Sequence, residues 1–151
     1  MTIEHCTDSA SWDLFLSAQQ FRPFLQSWTM GEVYRDIGQE PIRLEVRDGN
    51  ELVGICQAIL VPARRGRHLM VQYGPLVEKG LGTSNWGLVL DALMNTLKEV
   101  AKEHRCNFIR MSPFWTEQDS LVGTLTSNGA VPSPMHLLSE YTWYIPLKNH
   151  D

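Results

Sequence analysis

At 151 residues, 43% hydrophobic and 20% charged, the chain is long enough for one sizeable core and too apolar for a disordered segment. No apolar run nears the roughly 20 residues of a membrane helix, the start MTIEHCTDSASW lacks the basic-then-apolar pattern of a signal peptide, and a net charge of -4 does not advertise nucleic-acid binding by the chain as a whole. These features predict a cytoplasmic protein whose residues 1–151 form a single domain.

TIEHC reads as a short first strand, and SASWDLFLSAQQ places Trp12, Phe15 and Leu16 on one face of a helix capped by Asp8 or Ser9. After Pro23 comes FLQSWTMGEVYRDIG, a second helix. Ser27 or Thr29 can cap it, Thr29 and Glu32 stand at capping-box spacing, Met30, Val33 and Ile37 form its core-facing stripe, and Gly38 suits a left-handed stop. In PIRLEVRDGN, Ile42, Leu44 and Val46 alternate with Arg43, Glu45 and Arg47, which predicts a strand with one wet face followed by a tight turn. LVGICQAILV is apolar on both faces, as a central strand would be, and RRGR turns the chain into a third strand, HLMVQYG. The economical arrangement is an antiparallel meander. Beyond Gly74-Pro75 the period changes: Trp86, Leu90, Leu93, Leu97 and Val100 mark a long helix capped near Thr83 or Ser84 and ending around His104. NFIRMSP follows as a buried strand, then a shorter helix capped by Thr116, carrying Leu121, Val122 and Leu125 and ended by Asn128-Gly129, and SEYTWYIPL alternates as a last strand. Irregularly interspersed helices and strands predict an α+β fold, a mixed and mostly antiparallel sheet flanked by helices.

The chemistry is less plainly written. There is no GxSxG, HExxH, phosphate-loop lysine or GxGxxG. The cysteines Cys6, Cys56 and Cys106 are far apart and form no CxxC pair, which predicts buried free thiols in place of a zinc or redox site. The five histidines are scattered. RRGRHL partly matches the R/Q-x-x-G-x-G/A loop by which acetyltransferases hold coenzyme A, but such a loop opens a helix, and here it opens a strand. The bland reading of the Arg64 to Arg67 knot with His68 is a solvated hairpin tip.

Several strings in order, FLQSWTMGEVYRDIGQEPIRLEV, LVGICQAILVPARRGRHLMVQYGPLV, FIRMSP and YTWYIPL, resemble the first half of the Fem family of peptidoglycan interpeptide-bridge aminoacyltransferases, the lipid II:glycine glycyltransferase-like proteins. The most specific parts are Gln26-Ser27 followed by an aromatic and Gly31, the Tyr73-Gly74-Pro75 corner, and the strand end Arg110 to Pro113. The resemblance implies a GNAT-like N-acyltransferase fold, of which the family carries two copies and this chain one. It implies transfer of an amino acid from an aminoacyl-tRNA to a peptidoglycan precursor, lipid II or a UDP-linked muropeptide, without metal or other cofactor. The second copy lies outside the sequence, which implies either a truncation or a unit that works with a partner, a second GNAT-like domain or another copy of itself, with peripheral membrane contact through the lipid-linked substrate.

The same resemblance marks candidate substrate-binding residues: Trp28, Tyr34, Arg35, Tyr73 and Ser112. Where the family presents a lysine near the precursor's diphosphate this chain has Tyr34 with Arg35 beside it, and where an acidic residue is frequent it has Ser112, which has no activating base nearby in sequence. No residue is assigned a catalytic role. Trp28 as core, Tyr34 half-buried and Arg35 solvated is the structural alternative, and two other functions stay open: a non-catalytic precursor-binding or partner-pairing module, and a single-domain acyl-CoA N-acyltransferase. Gly80 and Gly82 before the long helix bear on the last of these, although no basic residue stands at the helix start.

Overall fold

A computed structural model describes residues 1–64, 66–78, 83–115 and 119–139, the side chains of residues 83, 84, 119 and 120 excepted. The predicted cap side chains Thr83, Ser84 and Thr116, the glycines Gly80 and Gly82, and the predicted last strand SEYTWYIPL after Ser139 lie outside this range.

Among the described residues the elements run β1 (Thr2–His5), α1 (Ser9–Ala18), a short 3-10 turn (Phe24–Gln26), α2 (Trp28–Asp36), β2 (Glu40–Asp48), β3 (Glu51–Val61), β4 (His68–Gln72), β5 (Leu76–Val77), α3 (Thr83–Glu103), β6 (Phe108–Ser112) and α4 (Asp119–Ser127). The sheet order is β1-β2-β3-β4-β6, with β5 paired to the far half of β3. All pairings are antiparallel except β4 with β6, which run parallel in the register His68 to Phe108. The predicted meander is therefore the centre of a mixed sheet.

Each covering layer follows from the local sequence. In α1 the Asp8 carboxylate accepts from the Ala10 amide, and Trp12 and Leu16, one turn apart, are buried against Ile55 and Leu76 of the sheet. On the opposite face Val89, Leu90, Leu93, Leu97 and Val100 of α3 pack on Leu44, Val46, Cys56, Ala58, Leu69 and Val71. The left-handed Gly38 and Gly129 stop α2 and α4: the Gln39 and Ala130 amides return to the Tyr34 and Leu125 carbonyls.

Five expectations need correction. Arg43 and Glu45 alternate with the apolar residues of β2 as read, but they are 5% and 7% exposed, because α1 and α2 cover the face they occupy. In α2 the inward positions are Gly31 and Tyr34, whereas Val33 and Ile37 are exposed and Met30 half-buried. The helix meets a polar patch of the sheet at its small residue, so its apolar stripe is not what docks. Its cap is Ser27, whose hydroxyl accepts from the Met30 amide, while Glu32 turns away from a capping box toward Arg43. Finally, β6 is half-buried with Phe108 exposed, since among the described residues it pairs with β4 alone, and Cys106 is half-buried where Cys6 and Cys56 are buried.

Leu90 and Leu97 are fully buried and Leu88, on the same helix, is 58% exposed. Truncation to alanine is expected to cost about 2–5 kcal/mol at either buried position and under about 0.5 kcal/mol at Leu88, read from guanidinium unfolding midpoints at constant slope.

Candidate functional site

The feature that organises the molecule is an unpaired step in its central sheet. β3 pairs with β4 through Ala58–Val61 and with β5 through Gly54 and Ile55, and between the two partners the chain passes through Tyr73, Gly74 and Pro75. Backbone groups of β3 at that gap would lack partners. The carboxamide of Gln26, fully buried, fills it: its Nε2 donates to the Gln57 carbonyl (3.0 Å) and the Gln72 carbonyl (2.7 Å), and its Oε1 accepts from the Gln57 amide (2.8 Å). One side chain thus replaces a rung of the ladder. Gly74 is required opposite it, because a Cβ there would stand 2.7 Å from the Gln26 carboxamide. The Gln26 carbonyl in turn accepts from the buried Trp12 indole at 2.7 Å, so α1 is tied to the same point.

Beside this junction runs a buried polar column. Gln57 donates through Nε2 to the Leu25 and Ser27 carbonyls and accepts at Oε1 from Arg43 Nε. The Arg43 guanidinium also donates to the Trp28 carbonyl and to Glu32 Oε1 at 2.7 Å, and it lies 3.8 Å from the centroid of the Trp28 ring, which meets Trp12 edge-on. The Arg43 bond, helped by the Arg35 charge, holds the Glu32 carboxyl below the usual carboxylate range. Gly31 makes the approach possible: a Cβ would fall 2.2 Å from Arg43 Nη2 and 2.3 Å from Gln57 Oε1.

At the C-terminal ends of β4 and β6 the chain presents a corner. The Tyr73 amide donates to the Ser112 carbonyl at 2.8 Å, and Tyr73 itself takes a left-handed φ of 55°. The Tyr73 ring meets Phe114 edge-on at 4.9 Å between centroids, and Phe114 meets the exposed Phe21 in the same way at 5.7 Å. Tyr34 reaches this corner from α2 by donating its hydroxyl to Gln72 Oε1, and burial raises the Tyr34 hydroxyl above the usual tyrosine range, with the Gln72 bond opposing. At neutral pH Tyr34 is a hydrogen-bond donor.

Of the five residues singled out from the sequence, the structure brings Tyr34, Tyr73 and Ser112 to this corner. Trp28 lies with Trp12 and Arg43 in the column, and Arg35 is exposed on α2, paired with Glu32. Phe21 and Phe114 join the corner unannounced by any spacing, while Gln57, a lone carboxamide within an apolar run, was the visible sign of the column. A separate cavity of about 950 Å³ opens between α3, β6 and α4, lined in part by Met94, Met111, Leu125 and Val131, and contains none of the five.

The model of the FemAB family matches residues 7–133. The chain belongs to the FemAB family. FemX is a similar solved structure: TM-score 0.71 and 23% identity over 85% of this chain, but only 32% of FemX, so the chain spans about a third of that protein. Whole acetyltransferases superpose as well. A probable acetyltransferase gives a TM-score of 0.61 at 16% identity, covering 97% of this chain and 99% of its own. The ribosomal-protein-alanine N-acetyltransferase from Brucella melitensis biovar Abortus 2308 gives 0.58 at 18%, covering 95% and 97%. These likenesses show a GNAT-like acetyltransferase fold for this FemAB chain. No curated protein sequence matches it.

Two outcomes follow for the FemAB domain. Gln26→Ala is expected to lower stability by about 2–4 kcal/mol, since each buried peptide group left unpaired costs about 1–3 kcal/mol, and hydrogen exchange at the Gln57 amide reads the loss directly. Glu32→Gln tests the column by pH. A carboxyl whose folded pKa is depressed stabilises the fold above its unfolded value and loses that contribution as pH falls, so the stability gap between wild type and Glu32→Gln is expected at neutral pH and to close below about pH 4.

Proposed function

We propose that this chain is the first of two GNAT-like domains of a cytoplasmic Fem-type aminoacyltransferase, acting on a peptidoglycan precursor, lipid II or a UDP-linked muropeptide, with an aminoacyl-tRNA as donor. The observation that carries the reading is the family match over residues 7–133. The reaction asks little acid-base machinery of the protein. The precursor's amine nitrogen attacks the activated ester carbonyl, a C–N bond forms, the ester C–O bond breaks, and the nucleotide hydroxyl leaves with the proton the amine gives up. Alignment and oxyanion stabilisation supply most of the acceleration in such a transfer.

The corner at Tyr73 suits an acceptor site on this reading. The rings of Tyr73, Phe114 and Phe21 form an aromatic wall for the face of a sugar or an apolar side chain, and Tyr34, held protonated, donates to the side chain of Gln72, the residue before Tyr73. Trp28 and Arg35 enter less directly: Trp28 supports α2 through Arg43, and Arg35, already paired with Glu32, offers a diphosphate at most about 1.5–3 kcal/mol. Micromolar affinity corresponds to about -8 kcal/mol. The isolated chain is therefore expected to bind a UDP-linked muropeptide more weakly than micromolar and to transfer no amino acid alone.

Saturation-transfer NMR with the muropeptide at millimolar concentration tests the site: contacts to the aromatic protons of Tyr73 and Phe114, lost in Phe114→Ala, are expected. Absence of those contacts, or turnover above background by the chain alone in a radiolabelled aminoacyl-tRNA assay, overturns the reading. The near-complete overlap with whole acetyltransferases favours a second reading, a single-domain acyl-CoA N-acyltransferase. Saturable binding of acetyl-CoA in place of the muropeptide is the result that selects it.

A further inference from the structure

The helical layer that seals the sheet over β4 leaves it open over β6. Leu69 and Val71 of β4 are fully buried against α3, whereas their register partners one strand further, Ile109 and Met111, are only partly covered. The gap is the cavity of about 950 Å³ between α3, β6 and α4, a size at the upper end of the roughly 300–1,000 Å³ of small-molecule pockets.

Its walls follow from local periodicity. On α3, Met94, Lys98, Ala101 and Lys102 stand at i, i+4, i+7 and i+8 and so share one stripe. On α4, Val122, Leu125 and Thr126 repeat the spacing, and the chain leaving α4, from Gly129 to Pro134, closes a further side. That segment is held to β6 by Arg110, which donates to the Ser133 hydroxyl and the Met135 carbonyl. Cys106 also lines the cavity, and burial raises its thiol above the usual cysteine range, with the Arg67 charge opposing.

The charge around this apolar volume has one sign. Lys98, Lys102 and Arg110 line it, and among the described residues no carboxylate does, in a chain whose net charge is -4. The nearby acids are Asp91, which accepts from Asn128 Nδ2, and Glu99, 4.0 Å from Lys102, and neither is part of the described lining. The dipole of α3 accounts for Lys102 in its last turn. It does not account for Lys98, more than a turn from the helix end, whose ammonium donates to Asn128 Oδ1 at 3.3 Å and keeps two of its three donors for other partners.

An apolar trough with cations along one wall complements a molecule that has an unbranched apolar tail and one negative head. We infer that the cavity between α3, β6 and α4 is a binding site for a medium-chain fatty carboxylate, its head held by Lys98 and Lys102 and its tail laid over Met94, Met111 and Leu125. Met94 and Lys102 are eight residues apart, about 12 Å along the helix at 1.5 Å per residue, which is the reach of such a tail. The inference rests on the cavity alone and not on the transfer reaction.

Calorimetric titration of the full chain with octanoate, decanoate and dodecanoate, each below its micelle concentration, tests it. Saturable binding is expected, tightening about tenfold for every two methylenes added, as their burial dictates. Dodecanol is expected to bind about tenfold more weakly than dodecanoate, through loss of the charge-assisted bonds, and dodecyltrimethylammonium not at all. Lys98→Gln is expected to weaken dodecanoate about tenfold and to leave dodecanol unchanged. Val131→Asp, at a lining residue that is 83% exposed, sets a carboxylate in the wall and is expected to weaken dodecanoate in the same sense, both variants keeping wild-type thermal unfolding. Bound dodecanoate is also expected to slow maleimide labelling of Cys106, the half-buried thiol. No saturable binding of dodecanoate, equal affinity for dodecanol, wild-type affinity in Lys98→Gln, or binding of phosphatidylglycerol vesicles without binding of dodecanoate overturns the proposal. A failure here leaves the muropeptide contacts at Tyr73 and Phe114 untouched, and their absence leaves this result standing.

Discussion

A sheet that changes partners halfway along its central strand must account for the peptide groups at the change, and here a single carboxamide does so. The Gln26 side chain donates twice and accepts once across the gap between β4 and β5, and its own carbonyl receives the Trp12 indole. Three other features are anchored to that junction. α1 is fixed through Trp12, α2 begins immediately after it at Ser27, and the corner of Tyr73, Gly74 and Pro75 takes its shape from the chain leaving β4 over the same carboxamide. Buried polar groups with complete pairing rigidify a site more than an apolar filling does, because any displacement leaves a group unpaired in a low-dielectric interior.

The column of Gln57, Arg43 and Glu32 extends the same logic outward. A guanidinium that is 5% exposed is tolerable only because each direction it faces holds a partner: a carboxamide, a carbonyl, a carboxylate and an indole face. This arrangement is specific in a way that a leucine cluster is not. It fixes the rotation of α2 about its own axis, which decides that Tyr34 points at Gln72 and that Val33 and Ile37 point away from the sheet.

The gross fold was legible because its signals are local: the period-two run of β2, the doubly apolar β3 and the leucine spacing of α3 each report which faces are covered. The polar face of β2 misled for the same reason. Alternation shows that Arg43 and Glu45 share a face, but not that α1 and α2, earlier in the chain, close over it. The stripe of α2 failed because the docking surface is polar, so Gly31 and Tyr34 carry the contact and the apolar residues do not. At the corner, Tyr73 and Ser112 stood out as string matches, whereas Phe21 and Phe114 meet only through the folded chain.

The parallel pair of β4 and β6 has a consequence for how the molecule assembles. Residues facing each other in the meander β2–β3–β4 are joined by short turns, but His68 and Phe108 face each other across about 40 residues that include the whole of α3. Closing that loop costs chain entropy before any contact rewards it. The meander is thus the natural nucleus, and the strand carrying Arg110 and Ser112 joins afterwards, when α3 has found its apolar groove. The aromatic corner at the C-terminal end of β4, which takes the Ser112 carbonyl from β6 and Phe114 from just beyond it, is completed only in that late step.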